Sequence, residues 1–321
     1  MANVQFGWAM PSGMRERVHR PQHLDIINRG LDMVKGTFDS AWFVDHIEFD
    51  NIDVLEGWTA VSYLAATHPD FMFGHAVLCQ SFRNPALLAK MGATMQFMSG
   101  GRFILGLGAG WKDDEYEAYG YDFPPAGVRV DQLDEYVQII KAMWRDEQAT
   151  FEGKHYRVKE AWCEPKPDPI PPIMIGAMKP KMIALTVRHA DWWNVSWTKL
   201  EDFRRMVDDC ERACEEQGRD PKTLRRTWFG GCACAPTQQA LDDLMGDRPF
   251  PAGGIKGTPD QVIEQMRGFI DLGVDYFMLG TAGLPNFTTM EMLLDKVVPA
   301  ISKNGTLIVQ LVSWMMKHGG K

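Results

Sequence analysis

The chain has 321 residues with 45% hydrophobic and 24% charged content. That is ample for one large core and far from the polar composition of a disordered chain. A formal net charge of -8 and a pI near 5.5 leave no basic patch for a polyanion, so nucleic acid and anionic membrane surfaces are excluded as partners in favour of a small molecule.

From the N-terminus, short strand-like runs alternate with longer amphipathic segments. The strand candidates are Val4 to Met10, Ser40 to Asp45, Met72 to Cys79, Phe103 to Gly108, Pro172 to Ala177, Asp191 to Ser196, Arg225 to Ala233 and Tyr276 to Gly280. These make eight, the number that closes a (β/α)8 TIM barrel, and the expectation is one α/β domain over residues 1–303. Pro85 opens a helix over Ala86 to Met98, and Gly100-Gly101 closes it. Leu133, Val137, Ile140 and Trp144 recur at helical spacing, so Arg129 to Arg145 lays an apolar stripe on the barrel wall. A helix over Met182 to His189 follows the fifth strand, and Thr258 with Gln261 has the spacing of a capping box. Two stretches break the alternation, Thr150 to Pro172 and Gly246 to Gly257, and are expected on the surface, where they could lie over a cofactor.

Six scattered cysteines include no C-x-x-C pair, and Cys210 and Cys214, one helical turn apart, lack a second ligand pair; no metal site is expected. Reduced thiols, the absence of a signal-peptide pattern after Met1, and an apolar stretch from Thr306 to Met316 about half the ~20 residues of a membrane span point to the cytoplasm.

In a barrel, the residues that close each strand share one mouth. His46 is the only histidine of eight placed just after a strand at that end, and an imidazole there can shuttle a proton at neutral pH; a structural histidine is the alternative. Asp45 beside it falls on the other face and could orient a loop. The run Gly106 to Gly110 lacks the spacing of a dinucleotide fingerprint. Its glycines permit close backbone approach, either to a planar ring or in a tight turn. Gly176 to Lys181 leads from a strand into a helix, where backbone N–H groups, with Lys179 and Lys181, could hold a phosphate. Trp8, Met10, Trp111 and Trp197 near strand ends suggest an apolar substrate pocket, with core packing as the alternative.

The segments Leu55 to Thr59, Phe82 to Met91, Ser99 to Trp111 and Tyr119 to Pro124 resemble the bacterial luciferase-like superfamily, in particular its branch of oxidoreductases that use the deazaflavin coenzyme F420. Weaker echoes follow at Pro171 to Gly176, Ala190 to Asn194 and Gly257 to Asp260; the tail 304–321 matches nothing in the family. The resemblance implies hydride transfer between F420 and a small organic substrate. An FMN-dependent luciferase-like monooxygenase and a non-catalytic flavin-binding protein are the alternatives. It further implies a non-proline cis peptide near Ala76-Val77 beneath the cofactor ring, with His46 over the reacting face. Cys79 and Gln80 would touch the ring edge, with Asp45 beside them. Gly108 and Gly110 would approach the ring or ribityl chain, and Gly176, Ala177 and Met178, with Lys179, would meet the phosphate. Met178 and Cys79 depart from the glycine and hydroxyl residue usual in relatives. The oligomeric state stays open, with a homodimer through helices flanking the second and third strands as the family precedent.

Overall fold

The computed structural model describes residues 4–14, 21–49 and 52–302; the tail 304–321 and the stretch Thr306 to Met316 lie outside them. Eight parallel strands form a closed ring: β1 (Gln5–Ala9), β2 (Ser40–Phe43), β3 (Met72–His75), β4 (Phe103–Gly108), β5 (Ile173–Gly176), β6 (Trp192–Ser196), β7 (Arg225–Cys234) and β8 (Val274–Thr281). Closure comes from pairing of β1 with β8 and of β4 with β5, so the expected (β/α)8 barrel is what the chain builds. After β3, the Ala76-Val77 peptide is cis, and the strand resumes at Leu78–Cys79, still paired to β4.

Helices α1 (His23–Val34), α2 (Gly57–Thr67), α3 (Pro85–Ser99), α4 (Ala126–Arg145), α5 (Pro180–His189), α6 (Leu200–Gln217) and α7 (Pro259–Asp271) pack outside the ring. Their ends are written into the sequence. The Asn84 side chain accepts from the amides of Ala86 and Leu87, Pro85 occupies the first turn of α3, and Gly100 ends it at φ 67°. The Thr258–Gln261 capping box opens α7. Of the two interruptions, the first contains an antiparallel hairpin, Ala149–Glu152 with Arg157–Ala161. The second contributes a three-residue strand, Ile255–Gly257, paired to β7.

Alternation along each strand separates two cores. Trp42, Ile104, Met174, Phe229, Tyr276 and Met278 fill the barrel interior, whereas Phe6, Trp8, Phe43, Phe73, Leu105 and Ile175 face the helices. Trp8 therefore lies outside the mouth, contrary to its assignment as a substrate contact. It is 0% exposed, its indole N–H donates to Thr281 Oγ1, and its ring occupies the space that a Cβ on Gly30 of α1 would need. Met10 is likewise buried. All six cysteines are free and buried, Cys210 and Cys214 packing α6 against the wall. Among the described residues there is no metal-binding cluster and no helix long and apolar enough to cross a membrane.

His75 is an imidazole committed to the outer core. It is 0% exposed, stacks on Trp58 with ring centroids 5.5 Å apart, and neither ring nitrogen has a hydrogen-bond partner. Burial pushes its pKa from 6.5 down to about 3, and the nearby Gly57 backbone opposes this only in part. The unfolded chain thus takes up a proton that the folded chain refuses. Stability from the neutral ring is complete above about pH 6.5 and lost as pH falls toward 3, at up to about 1.4 kcal/mol per pH unit. Urea midpoints measured between pH 7 and pH 4 should fall with pH, and His75→Phe, which keeps the stack, should reduce that slope by one proton's worth.

Candidate active site

The mouth is organised around a buried ion pair. Asp45 follows β2 and is 5% exposed. Its Oδ2 accepts from Arg83 Nη1 at 2.8 Å and from the Cys79 amide at 2.8 Å, and its Oδ1 accepts from Arg83 Nη2 at 2.9 Å. Burial pushes the Asp45 carboxyl up while Arg83 and the Cys79 N–H pull it down; the carboxylate raises the Arg83 pKa in return. Arg83 also reaches Glu56 Oε1 at 2.6 Å, which caps α2. Asp45 therefore ties together the ends of neighbouring strands and fixes the rim.

Holding the end of β2 in this way sets His46, whose side chain is 20% exposed. Its Nδ1 lies 2.9 Å from Glu115 Oε2, and the other oxygen of Glu115 accepts the amides of Ile47 and Glu48 at 2.9 and 3.2 Å. Glu115 is 2% exposed and sits on the short helix Asp113–Ala118 that follows β4. A carboxylate already accepting two N–H groups takes a third from Nδ1, which leaves Nε2 as the free nitrogen. Phe49 and Trp111 pack edge-on against the imidazole, with centroids at 4.9 and 5.7 Å. Sequence reading missed Glu115 because it lies 69 residues from its partner. The one available cue was the acidic first turn Asp113-Asp114-Glu115.

The floor of the mouth is built from residues that the sequence singled out, in altered roles. A Cβ on Gly108 would stand 2.6 Å from a methyl of Val77, and one on Gly176 would stand 3.3 Å from the same methyl. The two glycines thus admit the Val77 side chain, and Ala76, 8% exposed, lies beneath it in the interior core. Gly110, at φ 78°, makes room for the Tyr116 hydroxyl and Cys79 Sγ. The Cys79 thiol is held 2.9 Å from that hydroxyl, and Gln80 is 0% exposed. The Gln80 amide accepts from Tyr156 Oη at 2.9 Å and donates to Ser81 Oγ. The polar atoms of Cys79 and Gln80 are engaged within the protein. They brace the floor, and Gln80 also anchors the inserted hairpin.

At the fifth strand, the Ala177 amide donates to the Asn194 carbonyl, so it is not available to a phosphate. The start of α5 beyond it carries no side-chain cap and has Pro180 in its first turn. The amides of Lys181 and Met182 are the donors there, with Met178, Lys179 and Lys181 exposed around them. Trp111 and Trp197, 66% and 41% exposed, stand on the rim. Trp197 takes a φ of 49°, lies over Gly231 and packs against Phe250 from the second insertion at 6.5 Å. A flat apolar floor, one histidine with a free nitrogen, and an uncapped helix start fit a fused-ring cofactor with a phosphate-bearing tail. A cleft of about 660 Å³, between the helix Gln238–Met245 and α7, is lined by none of the His46, Val77 or α5 residues.

A barrel closed over such a mouth defines a cofactor-dependent TIM-barrel enzyme. Residues 4–255 match the family model described as luciferase-like monooxygenase, and the chain belongs to that family, which bears out the resemblance of its motifs. It is 30% identical over 299 residues to an F420-dependent glucose-6-phosphate dehydrogenase of Kineococcus radiotolerans, covering 82% of this chain and 88% of the relative. Among solved structures it is similar to an F420-dependent secondary alcohol dehydrogenase in complex with an F420-acetone adduct, with TM-score 0.81, 20% identity, and 94% and 100% of the two chains covered. It is also similar to a long-chain alkane monooxygenase, with TM-score 0.78, 15% identity, and 95% and 92% covered.

Removing Arg83 strands the Asp45 carboxylate in a buried site, a loss of about 3–5 kcal/mol. Urea denaturation of Arg83→Met at pH 7 should register that loss. The double variant Asp45→Asn/Arg83→Met should be less destabilised than the sum of its two single changes, since it leaves no buried charge unpaired.

Proposed function

We propose that this chain, over residues 1–303, is a single-domain oxidoreductase that exchanges a hydride between coenzyme F420 and the oxygen-bearing carbon of a small organic substrate with an apolar body. The observation that carries the reading is the pinned imidazole: His46 is tied through Nδ1 to buried Glu115 and keeps Nε2 free. The naming of relatives as F420-dependent dehydrogenases supports the choice of cofactor.

When bound, the deazaflavin supplies the hydride donor and acceptor. The protein's part is to bind, orient and move one proton. Val77, backed by Gly108 and Gly176, would hold the ring, and the start of α5, with Lys179 and Met178 beside it, would hold the phosphate. His46 Nε2 would take the proton of a substrate hydroxyl, or return it in the reverse direction. Glu115 keeps the ring oriented through Nδ1. Phe49, Trp111 and Trp197 cover the substrate's apolar part and exclude water.

Titration of the purified protein with F420 and with FMN at one ionic strength is expected to give tighter binding of F420. A tenfold preference for FMN, about 1.4 kcal/mol, would reverse the cofactor assignment in favour of the monooxygenase reading. With saturating cofactor, His46→Ala should lower kcat by about 10²-fold or more while cofactor Kd stays within a few-fold. Unchanged turnover would remove His46 from the proton path.

A further inference from the structure

Trp197 leaves β6 with φ 49°, a conformation uncommon for a bulky residue, and the turn around it is held at several points. Its amide donates to the Phe229 carbonyl at 2.9 Å. Thr198 is buried; its hydroxyl donates to the Ser196 carbonyl at 2.9 Å, and its own carbonyl accepts the Trp228 indole N–H at 3.4 Å. Gly253 of the second insertion lies directly against the Trp197 carbonyl, where a Cβ has no room. The backbone therefore aims the indole one way. Phe229 belongs to the barrel interior, so Gly231, two residues further along β7, faces the same side, and a Cβ there would stand 2.6 Å from the indole. Trp197 thus closes the mouth where β7 ends.

Behind the indole stands Phe250. Its ring meets Trp197 edge-on with centroids 6.5 Å apart, lies 3.5 Å from where a Gly231 Cβ would be, and fills the space of a Gly254 Cβ at 2.5 Å. The Lys256 ammonium stands 5.9 Å from its centroid. Pro249 and Pro251 flank it and restrict the backbone that carries it. The same ring lines the cleft of about 660 Å³ together with Leu241 and Met245, over a small apolar cluster of Ala233, Ala235 and Leu241. Phe250 therefore touches an inward position of β7 and the outer cleft at once. With Trp197 in front of it, the pair forms a wall two rings thick between the mouth and that cleft.

We infer that the Trp197–Phe250 pair is the end wall of the substrate pocket and sets the length of apolar chain that the enzyme accepts, so that its substrates are compact alcohols or ketones whose carbon chain stops at the indole. The inference rests on the proposed hydride exchange for the reaction and on the geometry of the two rings for the wall. A chain longer than the pocket has to displace an indole whose backbone is fixed. With the wall removed, the mouth runs on into a cleft whose inner lining, Leu241 and Met245, is apolar, and the far end of a hydrocarbon chain gains a place to bury.

The test compares the wild type, Phe250→Ala and Trp197→Ala/Phe250→Ala on straight-chain 2-alkanols from 2-propanol to 2-decanol with F420 as hydride acceptor, and measures binding of the same alkanols to each protein by equilibrium dialysis without cofactor. The ratio of kcat/KM for 2-decanol to that for 2-butanol should rise about tenfold or more in Phe250→Ala and further in the double variant, with a parallel gain in 2-decanol binding. Lys256→Met, which leaves both rings in place, should keep the wild-type ratio. Phe250→Ala carries the test alone if the double variant does not fold. An equal loss at every chain length, or an unchanged ratio, overturns the wall and leaves the hydride-transfer proposal intact. If the wild type oxidises none of the alkanols, that proposal fails for alcohols and dialysis decides the wall by itself: a gain in 2-decanol binding on removing Phe250 upholds it, and no gain overturns it.

Discussion

The structure of the mouth depends on one buried carboxylate. Asp45 takes two guanidinium N–H groups of Arg83 and the backbone N–H of Cys79, so it couples the end of β2 to the segment that follows the cis Ala76-Val77 peptide. Everything that faces the mouth on this side inherits its position from that junction. His46 is the next residue along the chain, Val77 precedes Cys79 by two, and Arg83 carries the connection outward to the cap of α2 through Glu56. An ion pair this deep contributes little net stability, because desolvation offsets its attraction. Its value lies in geometry: two charges that each need the other admit one arrangement of three chain segments.

The second constraint is the uneven filling of the barrel. Trp42, Trp192 and Tyr276 crowd one end of the interior, where Arg225 lies over the Trp192 and Tyr276 rings at 4.8 and 4.5 Å and seals the base. Toward the C-terminal ends of the strands, the inward positions change to Gly108, Gly176, Gly231 and Gly280. Two side chains from loops then occupy the space so provided, Val77 at Gly108 and Gly176 and Trp197 at Gly231. A closed base and a shallow, glycine-backed mouth convert an ordinary packed barrel into a platform for a flat ligand.

The eight strands were legible because each is a short apolar run bounded by turn residues, and the helix ends because Asn84, Gly100 and Thr258 are local signals. What escaped was information carried by pairs distant in sequence. Glu115 gives no periodic signal, since its importance arises only when the helix after β4 meets the loop after β2. Trp8 was misassigned because β1 is buried on both faces, and a strand apolar throughout does not reveal which side chains point inward. Cys79, Gln80 and Ala177 lie at the strand ends where they were expected, yet their polar atoms are spent on Tyr116, Tyr156 and Asn194. Strand-end position fixes where a residue is and leaves undetermined whether it has a hydrogen bond to spare.

The burial of the cysteines has a chemical consequence of its own. Every one of the six is enclosed, and burial raises the pKa of each thiol above its ordinary value. Because the thiolate is the reactive form, the native protein offers electrophiles almost nothing to attack, although it carries sulfur in four different strands, helices and loops. Alkylating reagents then become clocks for opening of the fold. The order in which Cys79 beside the mouth, Cys163 in the inserted segment, the α6 pair and the β7 pair are labelled would read out which part of the barrel comes apart first.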